Sequence, residues 1–244
     1  MLVLKRGAPP LRILILQHIA CEPPGVYEEI LVEKGASIHR VEIDEGQSLP
    51  DWRGFDAILA MGGPMSVNDG DTLPWLVAEK RLVREAVLAG KPYWGVCLGV
   101  QLLAASLGAR VYVGVKPEVG ILPVHLTADA QTDAVFSGLP QDFLTLQWHG
   151  ETFDLPEGAV LLATSPDYPN QAFRWKKRAY GVQFHLEVTA GLVKQWSQVA
   201  AYRAALERVL GAGGAAKMLA DIIREQRALH SYARSTFENW LRLS

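Results

Sequence analysis

Apolar residues fall along this chain in two rhythms. Leu11 to Gln17 is an almost unbroken apolar run interrupted only by Arg12, the pattern of a core strand. Val26 to Lys34 predicts a helix that stops at Gly35, and Ser37 to Ile43 alternates as a strand does. Phe55 to Met61 predicts a further strand that runs into Gly62-Gly63-Pro64. Leu73 to Ala89 predicts a long helix stopped by Gly90, Lys91 to Val96 a strand, and Leu98 to Leu107 a helix stopped by Gly108. Strand and helix in alternation predict an α/β fold with an open, mostly parallel sheet and helices on both faces.

The rhythm changes after Gly108. Val111–Val113, Gly120–Leu126, Phe143–Gln147, Val160–Thr164, Gln171–Trp175 and Ala179–Phe184 are short strand candidates separated by turn residues. Some are expected to pair antiparallel, as a small β insertion beside the main sheet. From Leu192 the pattern turns helical, with Leu192, Trp196, Val199, Leu206 and Leu210 at three-to-four spacing. Gly211-Ala-Gly-Gly breaks that helix, and Met218, Ile222, Leu229, Phe237 and Trp240 predict a second one. No linker divides the chain. Residues 11–190 read as one domain, and 191–244 as a C-terminal helical extension packed on it.

Composition narrows the function classes. The chain has 244 residues, 49% of them apolar, enough for a sizeable core. A net charge of −2 with both signs dispersed gives no basic stripe for nucleic acid. Two cysteines make no disulfide framework, which favours a reducing compartment. Lys5-Arg6 ahead of Leu11 to Cys21 faintly resemble a signal peptide, but Arg12, Gln17 and His18 interrupt the apolar run. With no membrane span in view, a soluble cytoplasmic protein is the expectation.

The most informative stretch is Gly95-Val-Cys97-Leu-Gly99-Val-Gln101. It is the thiol form of the G-x-S-x-G nucleophile elbow, a sharp strand-to-helix turn. Glycines relieve the bend, and the following helix aims its N-terminus at the sulfur, which favours thiolate. Taken alone, Cys97 also fits a small core hydrophobe. A second signal is Gln183-Phe-His185-Leu-Glu187. On a strand, Gln183, His185 and Glu187 share one face, so the carboxylate can hold the imidazole. A cysteine nucleophile needs a base, and the base an orienter. The plainer reading is a solvated strand end. The spacing of Cys97, His185 and Glu187 fits no class of metal site. The third signal is Gly62-Gly63-Pro64 at a strand end, where a backbone amide can join that of Leu98 as an oxyanion hole, or simply make a turn. All three signals fall at predicted strand ends, where open α/β sheets bind ligands.

These motifs resemble the class I (triad) glutamine amidotransferases, over about Leu11 to Glu187. The carrying residues are Gly62-Gly63-Pro64, Gly95 to Gln101 with Cys97, and Phe184-His185-Leu186-Glu187, in the family's order. The resemblance is strongest to stand-alone proteins related to the glutaminase domain of GMP synthase. It implies a flavodoxin-like sheet and a glutamine amidotransferase type 1 domain over 11–190. It further implies that Cys97 attacks the side-chain amide of L-glutamine, that His185 moves the protons and that Glu187 orients His185. The oxyanion would rest on the amides of Gly63 and Leu98. Gly62 and Gln101 would help hold substrate, and Trp148, His149 and Gly150 fall where the family has a substrate-contacting loop. No cofactor or metal is implied.

Two departures bear on function. Leu186 stands where the family most often has proline, which keeps the strand alternation. Leu192 to Ser244 is too short for the ATP-using synthetase that consumes ammonia in GMP synthase, and the chain carries no P-loop. Ammonia would therefore go to a separate synthetase in trans. The rival reading is a γ-glutamyl peptidase or hydrolase, favoured by a pocket open beyond the scissile bond. A non-catalytic regulatory module is the third. Trp196, Phe237 and Trp240 either complete the core, the favoured reading, or anchor a partner or homodimer surface.

Overall fold

The computed structural model describes residues 9–244; Lys5 and Arg6 lie outside them. Strand β1 (Arg12–Gln17) pairs in parallel with β2 (Ser37–Glu42) on one side and β3 (Ala57–Ala60) on the other. Beyond β3 come β4 (Tyr93–Val96) and β9 (Ala179–Val182), also parallel. The order β2-β1-β3-β4-β9 is the flavodoxin-like one, and its direction reverses at β1/β3.

Alternation along β1 builds a core on each face. Ile13 and Ile15 join helices α1 (Val26–Glu33) and α7 (Gly214–Leu241); Leu14 and Leu16 join α2 (Trp75–Leu88) and α3 (Leu98–Ser106). The predicted helices on both faces are therefore present. β1, β3, β4 and β9 are buried on both sides, which explains their unbroken apolar runs, whereas β2 at the edge is half-exposed.

The antiparallel strands lie beside the parallel ones and continue the same sheet. β8 (Ala172–Trp175), β7 (Ala159–Thr164), β5 (Val111–Leu126) and β6 (Asp142–Phe153) extend it from β9 into a single nine-stranded sheet. Two predicted short strands, Val111–Val113 and Gly120–Leu126, are halves of β5. The pairing with β6 slips between Val113 and Glu118, the stretch holding Gly114 and Pro117, and resumes at Glu118 opposite His149. β6 also runs further than predicted, so Trp148, His149 and Gly150 lie on a strand rather than a loop.

After Thr189, which caps the next helix by accepting from Leu192 N–H, the single predicted helix divides. α5 (Ala190–Trp196) and α6 (Ala200–Leu210) are separated at Val199, whose backbone is extended. The short helix α4 (Ala128–Thr132) lies between β5 and β6. Trp196, Phe237 and Trp240 are all buried within the chain. Phe237 and Trp240 surround Trp94 of β4 at ring distances of 5.8 Å each.

Candidate active site

The three short motifs predicted to carry chemistry sit at the C-terminal ends of β3, β4 and β9. Cys97 directly follows β4 and opens α3 with φ 53 and ψ −105, a left-handed conformation unusual for a residue bearing a side chain. Its neighbours make that turn fit. A Cβ on Gly95 would collide with the Gly99 backbone, and one on Gly99 with the Ala60 carbonyl of β3. Helix α3 thus packs tightly on the sheet because those positions lack side chains. The Cys97 N–H is tied to Val182 O at 2.8 Å, joining the elbow to the end of β9.

β9 stops at Val182, so Gln183 to Glu187 is not the regular strand the alternation suggested. The chain curls there, and His185 exchanges two backbone bonds with Leu146 of β6, at 2.8 and 3.2 Å. The expected pairing nevertheless forms. His185 Nδ1 lies 2.7 Å from Glu187 Oε1, and Glu187 Oε2 accepts from Leu186 N–H at 2.9 Å. Nδ1 donates to the carboxylate, so Nε2 is left for Cys97. Burial opposes charge on His185, but Glu187 and the hydrogen bond with Cys97 outweigh it and hold the imidazole well above its usual range. Trp196 meets the His185 ring edge-on, with centroids 4.9 Å apart.

Gln183 is a further neighbour of the sulfur: its Nε2 lies 3.6 Å from Cys97 Sγ, and its Oε1 accepts from Gln101 Nε2 at 3.1 Å. Gln101 Nε2 also donates to Glu151 O at 3.4 Å, so both its amide hydrogens are committed to the protein. Gly62 and Gly63 follow β3. A Cβ on Gly62 would overlap the Glu22 carboxyl and crowd His185, so Glu22 would have to move to admit one. Neither the Gly63 nor the Leu98 N–H has an acceptor among the described residues, as an oxyanion-binding pair requires.

A cleft of about 350 Å³ opens over Cys97. Gly63, Gln101, Trp148, His149 and Gly150 line it together with Cys97, whereas Gly62, Leu98, His185 and Glu187 do not. His149 does not qualify as a rival base. Its Nε2 is bonded to Glu118 at 3.0 Å and its Nδ1 to Glu151 O at 2.9 Å, and Ser165 and Gln171 donate to the same Glu118 carboxylate. Neither ring nitrogen is left for the thiol.

Sequence reasoning missed part of the wall. Tyr202, Ala205 and Arg208 of α6, with Ser66 and Asp69, line the same cleft. Tyr202 donates its hydroxyl to the buried Glu22, which follows β1. Burial drives the Glu22 carboxyl upward, an effect that His185 and Tyr202 only partly offset. The available signal was polarity: Glu22 and His18 interrupt an apolar N-terminal region. Among the described residues, no cluster of side chains could hold a metal ion, and no helix is long and apolar enough to cross a membrane.

Comparison with known proteins agrees with this architecture. The family model "Glutamine amidotransferase class-I" matches residues 27–196, and the chain belongs to that family. The glutamine amidotransferase-like protein YfeJ of Salmonella typhimurium is 29% identical over 188 residues, covering 75% of this chain and 79% of that protein. A GMP synthase of Streptomyces avermitilis is 37% identical over 134 residues, which span 54% of this chain and only 24% of the synthase. The crystal structure of a glutamine amidotransferase from Thermotoga maritima superposes with a TM-score of 0.86 at 32% identity, covering 96% of this chain and 99% of that one. One from Methylobacillus flagellatus gives 0.86 at 27% identity, over 96% of each chain.

Proposed function

We propose that this chain is a cysteine-dependent glutaminase that releases glutamate and ammonia from L-glutamine. The carrying observation is the positive-φ elbow at Cys97 beside a buried His185–Glu187 pair 2.7 Å apart. Cys97 Sγ attacks the side-chain amide carbon as His185 Nε2 takes the thiol proton. The oxyanion rests on the Gly63 and Leu98 amides. The C–N bond breaks, His185 returns the proton to nitrogen, and ammonia leaves a γ-glutamyl thioester on Cys97. Water, deprotonated by His185, attacks the thioester. Collapse releases glutamate and restores the thiol.

Similarity to part of a GMP synthase supports transfer of the ammonia to a separate synthetase, such as one making GMP. A second reading keeps the thioester and enlarges the leaving amine, giving a γ-glutamyl peptidase. It is favoured by α6, whose exposed Arg208 lines the cleft beside Tyr202 and Ala205. Ammonia and glutamate release from glutamine, run beside γ-glutamyl dipeptides with Cys97→Ser as control, separates the two. Turnover of glutamine that vanishes in the control supports the glutaminase. Cleavage of dipeptides alone replaces it with the peptidase, and no thiol-dependent turnover of either rejects both.

A further inference from the structure

The reaction above leaves a buried histidine–glutamate pair beside the Gly62–Gly63 turn unused. His18 follows β1, Glu79 lies in α2, and both side chains are wholly inaccessible to solvent. His18 Nε2 is 2.9 Å from Glu79 Oε1, and Nδ1 is 3.2 Å from the carbonyl oxygen of Gly62. A carbonyl can only accept, so Nδ1 carries a proton and donates it to Gly62. Trp75 stacks over the ring at 5.9 Å and fixes its plane.

That bond sets the direction of a peptide. In a trans peptide the C=O of one residue and the N–H of the next point opposite ways. No cis peptide occurs among the described residues. Holding Gly62 C=O toward His18 therefore turns Gly63 N–H away from it. Gly63 lines the cleft with Cys97, and its N–H has no acceptor among the described residues. Two consecutive glycines offer little resistance of their own to a flip of this peptide. Its orientation has to be imposed from outside.

We propose that His18, held by Glu79, is a positioning residue that locks the Gly62–Gly63 peptide with Gly63 N–H facing the carbonyl oxygen attacked by Cys97. The inference rests on the thiol mechanism proposed above. Both parts of the lock come from this chain, so the oxyanion site is assembled before a substrate or partner arrives.

The test uses the full chain and whichever substrate, glutamine or a γ-glutamyl dipeptide, the wild type turns over. Steady-state rates are measured for His18→Leu, His18→Asn and Glu79→Gln. Alkylation of Cys97 by iodoacetamide is followed in parallel, because that displacement needs the thiolate but develops no oxyanion. Loss of one aimed donor costs about 10²- to 10³-fold in kcat. His18→Leu is expected to approach that loss, with KM and the alkylation rate within about twofold of wild type. His18→Asn, which restores a donor near the Nδ1 position, is expected to recover part of kcat. If His18→Leu does not fold, Glu79→Gln carries the same comparison. A kcat within twofold of wild type would overturn the lock, as would alkylation falling in step with kcat. A wild type inert toward both substrates would instead remove the thiol mechanism itself.

Discussion

His185 Nδ1 meets the Glu187 carboxylate at 2.7 Å with both side chains only 1% exposed. A bond made in such dry surroundings fixes both the tautomer and the direction of the ring. Glu187→Gln keeps the size of the partner and removes its charge. Because general acid–base work contributes about 10²- to 10⁴-fold, kcat is expected to fall by at least about a hundredfold with KM little changed. Steady-state ammonia release measures it. A variant that kept most of the wild-type kcat would take Glu187 out of the mechanism.

The two cysteines are expected to differ sharply as nucleophiles. Burial, reinforced by the neighbouring Glu22 carboxylate, pushes the Cys21 thiol up to about 11. At pH 7.5 only roughly one Cys21 in three thousand is then thiolate, the form that reacts. Cys97 instead faces the His185 imidazole. Limiting iodoacetamide at pH 7.5 is expected to modify the Cys97 peptide at least about tenfold faster than the Cys21 peptide. Peptide mass mapping against time gives both rates. His185→Ala is expected to slow labelling of Cys97 and to leave that of Cys21 unchanged, and equal labelling in the wild type would contradict the assignment.

Much of this site was legible because its parts are local. Cys97 between Gly95 and Gly99 marks an elbow within five positions of chain, and the apolar runs around it identify strand and helix by length and period. The His185–Glu187 pair was found through strand alternation, yet β9 ends at Val182. An irregular segment pinned to Leu146 also places residues two apart on one side, so the pairing survived a wrong backbone. What stayed hidden depends on distant partners. His18 and Glu79 are sixty-one positions apart, and Glu22 and Tyr202 one hundred and eighty. No periodicity encodes such contacts. The regular spacing from Leu192 to Leu210 likewise concealed the extended break at Val199, which turns α6 over the cleft.

The C-terminal helix is expected to be part of the folding unit. Trp240 is fully buried against Trp94 and Phe237, and its indole N–H bonds Arg178 O at 3.1 Å. Trp240→Ala removes that packing and one of the two donors to Arg178 O, that of Tyr93 N–H remaining. The expected destabilisation is about 3–5 kcal/mol. Urea unfolding followed by circular dichroism measures it. A loss below about 1 kcal/mol, the range of surface substitutions, would make residues 191–244 an appendage rather than part of the domain.

Glu22 makes the sign of a pH dependence testable. Burial raises its carboxyl above the usual 4.5, His185 and the Tyr202 hydroxyl pull it down, Glu187 raises it again, and the balance stays upward. The folded protein therefore holds this proton more tightly than the unfolded chain does. Stability from the group is full below about pH 4.5 and is lost as pH climbs through the folded value. Glu22→Gln keeps an acceptor for Tyr202 and cannot ionise. Its Tm relative to wild type is expected to rise as pH increases from 4.5, then level off once Glu22 is ionised in the folded wild type. Thermal melts of both proteins from pH 4 to 9 give the difference curve. A curve that turns in favour of the wild type as pH rises would mean that His185 holds Glu22 ionised, with attraction between them outweighing desolvation. Both carboxylates beside the imidazole would then stabilise its charge, and Glu22→Gln would be expected to weaken His185 as a base.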